Sequence, residues 1–393
     1  MTTDVSALAV PALPPGLRGA PVYLDYNSTT PVDPRVTEAM MPYLAEHFGN
    51  PSSANHYADK PRRALAHARG QVAALIGATP GEVVFTGSGS EADALAIFGA
   101  VLSHRDPGRM QVITQATEHP AVLGACRALQ RRHGTTITYL PLDPYGRVSP
   151  ADLAAALTPR TALVSIMTAN NETGALQPIA ELSAITREHG ILLHTDAAQA
   201  LGKIDVDVAR LGVDLLTVVG HKMYAPKGVG ALYVRSGVHL EALVPGGGQE
   251  RGLRAGTENV ALAVALGTAA ELAAQDLADG RPARISVLRQ DLHQHLQAAL
   301  PGRVHLNGPQ HLRLPNTLNI SIDGTLGHHI LDAAPQIAAS TGSACHSGSH
   351  SPSPVLTAMG LDAPRALFRT SNHAGADLGR RVAAYDMAQL LFG

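Results

Sequence analysis

The chain has 393 residues, 45% of them hydrophobic and 16% charged, with 30 basic and 32 acidic side chains for a net charge of −2. At ~150 residues per domain that length suits two or three domains, and such a composition buries a large core, which excludes a disordered chain. The charge balance excludes a general nucleic-acid binder, which needs a basic excess, and no continuous apolar run reaches the ~20 residues of a membrane span, so no membrane partner is expected.

Residues 1–20, rich in Ala and Pro without a basic start, read as a flexible arm and not a signal peptide. From Lys60 the pattern alternates. Helical spacing over Lys60–Ile76 precedes a strand at Glu82–Thr86, a helix at Ser90–Leu102 and a strand at Gln111–Thr114. A helix at Pro120–Arg132, a strand at Thr135–Tyr139, a short helix at Pro150–Leu157 and a strand at Ala162–Met167 follow. Then come a helix at Ile179–His189 and strands at Ile191–His194, Leu215–Val219 and Gly230–Val234. Apolar strands alternating with helices indicate an α/β fold whose mainly parallel sheet is covered on both faces. After Pro245 a Gly/Arg-rich loop, GGGQERGLRAGTEN, leads to helices at Val260–Ala278 and Arg284–Leu300, a strand at Thr317–Ile322, a Gly/Ser loop around Cys345 and a helical tail. The expected units are a large domain over 21–257 and a smaller α+β domain over 258–393, with residues 21–35 able to pack on the latter.

Ligands of an open parallel sheet bind where strands end at their carboxyl side. Five such ends carry polar residues. Thr86-Gly-Ser-Gly-Ser opens a helix, where free N–H groups and the helix dipole cradle anions; Gly89 and Ser90 lie there. Gly87, Gly89 and Ala92 also match G-x-G-x-x-A, which keeps a nucleotide-binding module open as an alternative. His119 follows the strand at 111–114 and reads either as a ring stacker or as a polar cap. Asn170-Asn171 offers amides in a fixed plane, or a tight turn. Asp196 ends a buried strand, where an acid needs a cation or a proton; it would hold a pyridinium N–H, with Gln199 near a phenolate oxygen, or else cap a helix.

Lys222, in Gly220-His221-Lys222, lies 26 residues beyond Asp196, one strand–helix–strand step. It is one of four lysines, and at the mouth of a buried strand it suits an amine nucleophile. Phosphate cradle, pyridinium acid, stacking ring and lysine together are what pyridoxal 5'-phosphate requires. Two cysteines, Cys126 and Cys345, build no disulfide framework, which points to a cytoplasmic protein. Cys126 sits in a helical apolar pattern and reads as packing. Cys345, in a Gly/Ser loop beside His346, reads as an accessible thiol; a metal site with His346 and His350 departs from zinc spacing, so no metal is expected.

The motifs YLDYNSTTPVDPRV, GNPSS, TEHPAV, ANNETG, HTDAAQALGK, GHKMYAPKGVGALYV, GGGQERGLRAGTEN and STGSAC, in order over about residues 21–371, resemble the cysteine desulfurases. These belong to the class V aminotransferase family of pyridoxal-phosphate enzymes of fold type I, here the group with the longer cysteine loop. The resemblance implies a seven-stranded-type sheet in the large domain. It implies that Lys222 carries the cofactor and moves the proton, that His119 stacks on the ring and that Asp196 holds its nitrogen. Gln199 and Asn171 would contact the ring-oxygen side, and Gly89, Ser90 and His221 the phosphate. Thr257 would reach the phosphate of a second subunit, implying a homodimer; Arg369 would bind the substrate carboxylate. Cys345 would be the nucleophile that takes sulfur from L-cysteine, leaving alanine, and passes it to an acceptor such as an iron–sulfur scaffold or a thiolation protein. Selenocysteine lyases share HTDAAQALGK, VGHK and ACHS…PSPVL with the chain, which makes selenocysteine the alternative substrate. Two departures stand out: Val219 replaces the Ser or Thr that often precedes Gly-His-Lys, and Ser371-Asn372-His373-Ala374 replaces the usual Ser-Leu-Gly-Arg.

Overall fold

The computed structural model describes residues 15–104, 106, 108–341 and 353–361, and the backbone of 370–373. In chain order the large sheet is built from β2 (Val83–Thr86), β3 (Gln111–Gln115), β4 (Thr136–Leu140), β5 (Thr161–Ser165), β6 (Leu192–Asp196), β7 (Leu215–Val219) and β8 (Gly230–Val234), preceded by the short β1 (Val22–Tyr23). The spatial order is β2-β8-β7-β6-β5-β3-β4. β8 runs antiparallel to both its neighbours, and the remaining contacts are parallel. Six strands therefore share one direction, and their carboxyl ends share one edge of the sheet.

Both faces are covered, as near-continuous apolar strands require. Side chains alternate across the pleat. Val83, Phe85, Leu216, Val218, Ala231 and Tyr233 enter one core, with residues of α3 (Asp59–Leu75) and α7 (Ile179–Glu188). Val84, Leu215, Leu232 and Val234 enter the other, with α4 (Gly89–Leu102) and α5 (Pro120–His133). Cys126 lies in this second core, its thiol pushed up to about 12 by burial, as its apolar helical setting predicts.

Helix α9 (Val260–Ala278) packs on α3 and on α1 (Pro34–Met40), and its Ala263, Leu266, Ala270 and Ala273 join the first core. By length and composition alone this helix is apolar enough to cross a bilayer, and half of it is buried inside the fold, as in a core helix. Its two acids, Glu271 and Asp276, interrupt the apolar run in the sequence without polarising the buried face. Helix α10 (Arg281–Ala299) starts three residues before its expected position, because Pro282 fits the first helical turn after the left-handed Gly280. A smaller antiparallel sheet orders β12 (Thr370–His373), β10 (Thr317–Ile322) and β9 (Val304–Leu306). Its core joins Leu318, Ile320 and Ile322 to Leu292 and Leu296 of α10 and to Leu24. β1 pairs in parallel with β11 (Ile337–Ala338), which ties the segment after the N-terminal arm to this later part of the chain.

Candidate active site

Every polar strand end singled out above arrives at the same edge. β7 runs directly into a tight turn, Gly220–Lys222. The turn is fastened by the segment at 27–30: Thr30 N–H and Oγ1 both donate to the His221 carbonyl, at 3.0 and 3.1 Å, and His221 Nδ1 lies 3.1 Å from Thr29 Oγ1. Tyr224 is held at φ 63°, a left-handed conformation that a bulky residue adopts only under constraint. Lys222 Nζ donates to the carbonyls of Asn27 at 2.5 Å and Ser28 at 2.7 Å.

Asp196 ends β6 and is buried; its Oδ1 accepts from the Ala198 N–H at 2.9 Å. Burial raises its pKa, while the nearby His119, the Ala198 N–H and the Lys222 charge pull it back. His119 caps α5 with Nδ1, which accepts from the Ala121 N–H at 3.2 Å, so the ring proton sits on Nε2. Burial lowers its pKa; the Asp196 carboxylate opposes that shift and Lys222 adds to it. The structure thus brings together three of the predicted residues: Lys222, Asp196 and His119. His221 beside them is driven down to about 4 by burial, with the Lys222 charge second.

Gly89 and Ser90 open α4, and Ser88 caps it by accepting the Glu91 N–H at 3.1 Å. Gly89 is buried and Ser90 exposed. A Cβ built on Gly89 would stand 2.3 Å from Val219 Cγ2, so glycine is the residue this cradle admits. The Gly/Arg-rich loop is pinned behind it. Glu250 accepts from Arg69 at 2.6 Å and from the Phe85 N–H at 2.8 Å, and Arg254 pairs with Glu91 at 2.9 Å. Gly256 and Glu258 line a cavity of about 90 Å³ with Thr86 and Gly87, and Thr257 between them is exposed.

Asn170 is the turn-former of its pair: Oδ1 accepts from the N–H groups of Glu172 and Thr173, both at 2.9 Å. Asn171 is half-buried, and its carbonyl accepts from Asn27 Nδ2 at 3.1 Å. Gln199 donates to the Asn27 carbonyl at 3.0 Å and accepts from Lys203 Nζ at 3.1 Å. Cys345, His346, His350 and Arg369 lie outside the described residues.

Three residues of the site escaped the sequence reading. Asn27 binds Asn171, Thr317 Oγ1 and Asn316, and its carbonyl meets both Lys222 and Gln199. Its only sequence signal is membership of YLDYNSTTPVDPRV. Lys203, second of the four lysines, is driven down to about 7 by burial and by Lys222. Asp93 of α4 is buried and places a carboxylate oxygen within 4.8 Å of ligand atoms of both His119 and Asp196. An acid beside Ala92 and Ala96 on an apolar helical stripe was its signal. The donor set suits a flat nitrogen heterocycle carrying a phosphate: a buried carboxylate for the nitrogen, an imidazole for the ring, helix amides for the phosphate and an amine for a carbonyl carbon.

Residues 22–374 match the description Aminotransferase class-V. The chain belongs to that family. Among class V aminotransferase relatives, a cysteine desulfurase of Trichormus azollae is 48% identical over 342 residues, covering 86% of this chain and 84% of that protein. A human cysteine desulfurase is 45% identical over 357 residues, covering 90% and 77%. Of solved structures, a NifS-like protein superposes with a TM-score of 0.85 at 33% identity, covering 94% of this chain and 97% of that one. SspA in complex with cysteine superposes with a TM-score of 0.78 at 35% identity, covering 90% and 98%. Both the family and the mostly parallel sheet agree with the sequence reading. The desulfurase reading is supported over the selenocysteine lyase and over a non-catalytic nucleotide module. The class V family is generally dependent on pyridoxal phosphate.

Proposed function

We infer that this class V aminotransferase is a cysteine desulfurase that binds pyridoxal 5'-phosphate. The observation that carries the reading is the meeting of Lys222, Asp196 and His119 at the edge where six strands end. Lys222 would hold it covalently. Asp196 would meet the ring nitrogen, His119 would stack on the ring, and Gly89, Ser90 and His221 would face the phosphate. When bound, the cofactor supplies a sink for the electrons of the substrate Cα–H bond.

The residues do the rest. The carbonyls of Asn27 and Ser28 orient the Lys222 amine, which takes the Cα proton of L-cysteine and returns it. Burial excludes water around Asp196, so its charge acts on the ring at low dielectric. Arg369 binds the substrate carboxylate. The Cys345 thiolate attacks the substrate sulfur; the C–S bond breaks, an S–S bond forms, and alanine leaves after taking up protons. The persulfide on Cys345 then passes its outer sulfur to an acceptor protein such as an iron–sulfur scaffold or a thiolation protein.

A homodimer fits the surface. Phe48 is 73% and Tyr57 64% exposed, their rings stacked at 5.4 Å, with Met41 and Leu44 also exposed nearby in sequence. Such an apolar patch suits a second copy, whose Thr257 would complete the phosphate site. We assign the protein to the cytoplasm from its two-cysteine composition. The test is turnover of L-cysteine by the purified protein, following alanine and sulfide in the presence of a reductant. Stoichiometric alanine supports the assignment, with Lys222→Ala inactive and Cys345→Ser unable to form a persulfide. A Cys345→Ser protein that releases sulfide at the parent rate overturns the role of Cys345.

A further inference from the structure

Behind Asp196 lies a second carboxyl group that the reaction as described does not use. Asp93 is 2% exposed, and its Oδ1 has no hydrogen-bond partner. It projects from the second turn of α4, the helix whose start forms the phosphate cradle. Asp93, His119 and Asp196 place ligand atoms within 4.8 Å of one another. Three other groups bear on Asp93. Thr217 of β7 gives it a side-chain hydrogen bond, the Glu118 carboxyl, itself pushed up to about 8 by burial, adds negative potential only above that pH, and His194 Nε2 lies 3.7 Å from Oδ1.

His194 brings no compensating charge. It is fully buried and driven down to about 3, so it is neutral. Its two nitrogens are engaged by Ser165 Oγ at 2.9 Å and Thr217 Oγ1 at 3.1 Å. A neutral imidazole has one donor and one acceptor nitrogen. One imidazole nitrogen therefore donates and the other accepts, so Ser165, His194 and Thr217 satisfy one another without bringing a charge to Asp93. Asp93 Oδ1, without a partner, is left for a proton. Two carboxyl groups this close in a dry site cannot both ionise, and the pair titrates as a unit. His119 lies close to both acids, but Asp196 also has the Ala198 N–H and the Lys222 charge in its favour, whereas Asp93 has only Thr217.

We propose that Asp93 is a positioning residue that holds the proton of an Asp93–Asp196 pair, so that Asp196 stays ionised toward the ring nitrogen of the cofactor. This rests on the proposed cofactor. Asp93 acts through Asp196, as a neutral acid whose dipole stabilises the neighbouring charge, and a neutral amide of the same shape does the same work.

The test compares the parent with Asp93→Asn and Asp93→Ala in two arms. The first uses the apoprotein and urea unfolding from pH 5 to pH 8. A carboxyl that keeps its proton in the folded state loses it on unfolding, so stability falls as pH rises above the ordinary carboxylate range. The urea midpoint of the parent therefore falls across this window relative to that of Asp93→Asn. The second arm loads the proteins with pyridoxal phosphate and follows the visible band of the lysine-bound cofactor against pH. Asp93→Asn keeps the parent's cofactor Kd and band midpoint; Asp93→Ala weakens binding about tenfold and moves the midpoint by about one pH unit, the scale of losing one close polar neighbour. Parallel urea midpoints for parent and Asp93→Asn overturn the proposal, as does an Asp93→Asn protein that behaves like Asp93→Ala, or an Asp93→Ala protein with the parent's band. A parent that takes up no cofactor sinks the proposed function instead, and the apoprotein arm still decides where the proton lies.

Discussion

Gly89→Ala is the substitution on which the geometry speaks most directly. The new Cβ would stand 2.3 Å from Val219 Cγ2 and 3.4 Å from Val219 Cβ. Neither side can yield cheaply. Val219 is β-branched, with a stiff χ1, and the next residue is hemmed in: a Cβ on Gly220 would meet Val229 Cγ1 at 2.8 Å. On the other side the Ser88 carbonyl carbon lies only 2.9 Å from where a Gly230 Cβ would be, so the start of α4 already sits against β8. Overpacking of this kind costs about 1–3 kcal/mol. It also displaces the first amides of α4, so cofactor affinity falls with it, tenfold for each ~1.4 kcal/mol. Val219→Ala opens room and by itself costs about 2 kcal/mol as a buried truncation. The double variant should then be more stable than the sum of the two losses by at least about 1 kcal/mol, because the alanine methyl fills the vacated space. Urea unfolding of the four apoproteins gives the cycle, and cofactor titration gives the same cycle at the cradle. Additivity within about 0.5 kcal/mol would refute the claim that Val219 makes position 89 a glycine.

Val219→Ser adds a hydroxyl at the cradle, so cofactor binding should tighten by roughly three- to tenfold, read by fluorescence titration. Asn27→Ala removes side-chain hydrogen bonds to Asn171, Thr317 and Asn316 in a buried site while keeping the main-chain carbonyl that accepts from Lys222; a loss of about 2–4 kcal/mol is expected by urea unfolding. Glu118 is pushed up to about 8 by burial. The folded state keeps a proton that the unfolded state releases, so its contribution is fully present below about pH 4.5 and is lost as pH rises through about 8; Glu118→Gln should abolish that fall. Lys203 has the opposite sign. With its folded pKa near 7 against 10.5 unfolded, stability rises with pH between those values, and Lys203→Met should flatten the rise in a pH series of melting temperatures.

Much of the large sheet could be read from the chain because most of its strands are short apolar runs, with glycine following β2 and β7 and an acid ending β6. Leu215–Val219, Gly230–Val234 and Thr317–Ile322 coincide with their predicted spans. The direction of β8 could not be read. A strand buried on both faces has the same apolar pattern whichever way it runs, and only pairing with β7 and β2 makes it antiparallel. β1, β9, β11 and β12 were missed for a different reason: two to four residues carry little periodicity, and their order comes from a partner strand elsewhere in the chain.

For the site, Lys222, Asp196 and His119 were visible because each terminates an apolar strand or follows one closely, and chemistry at strand ends is a local signal. Asn27 was not, since its partners lie 144, 195 and 290 residues away and no local pattern marks such a hub. Residue types and their order along the chain were enough to say that a lysine, an acid and a histidine stand at strand mouths. Which proton each holds was decided by folding alone, because burial, a facing carboxyl at Asp93 and a capping bond at His119 are properties of the packed interior and have no counterpart in the extended chain.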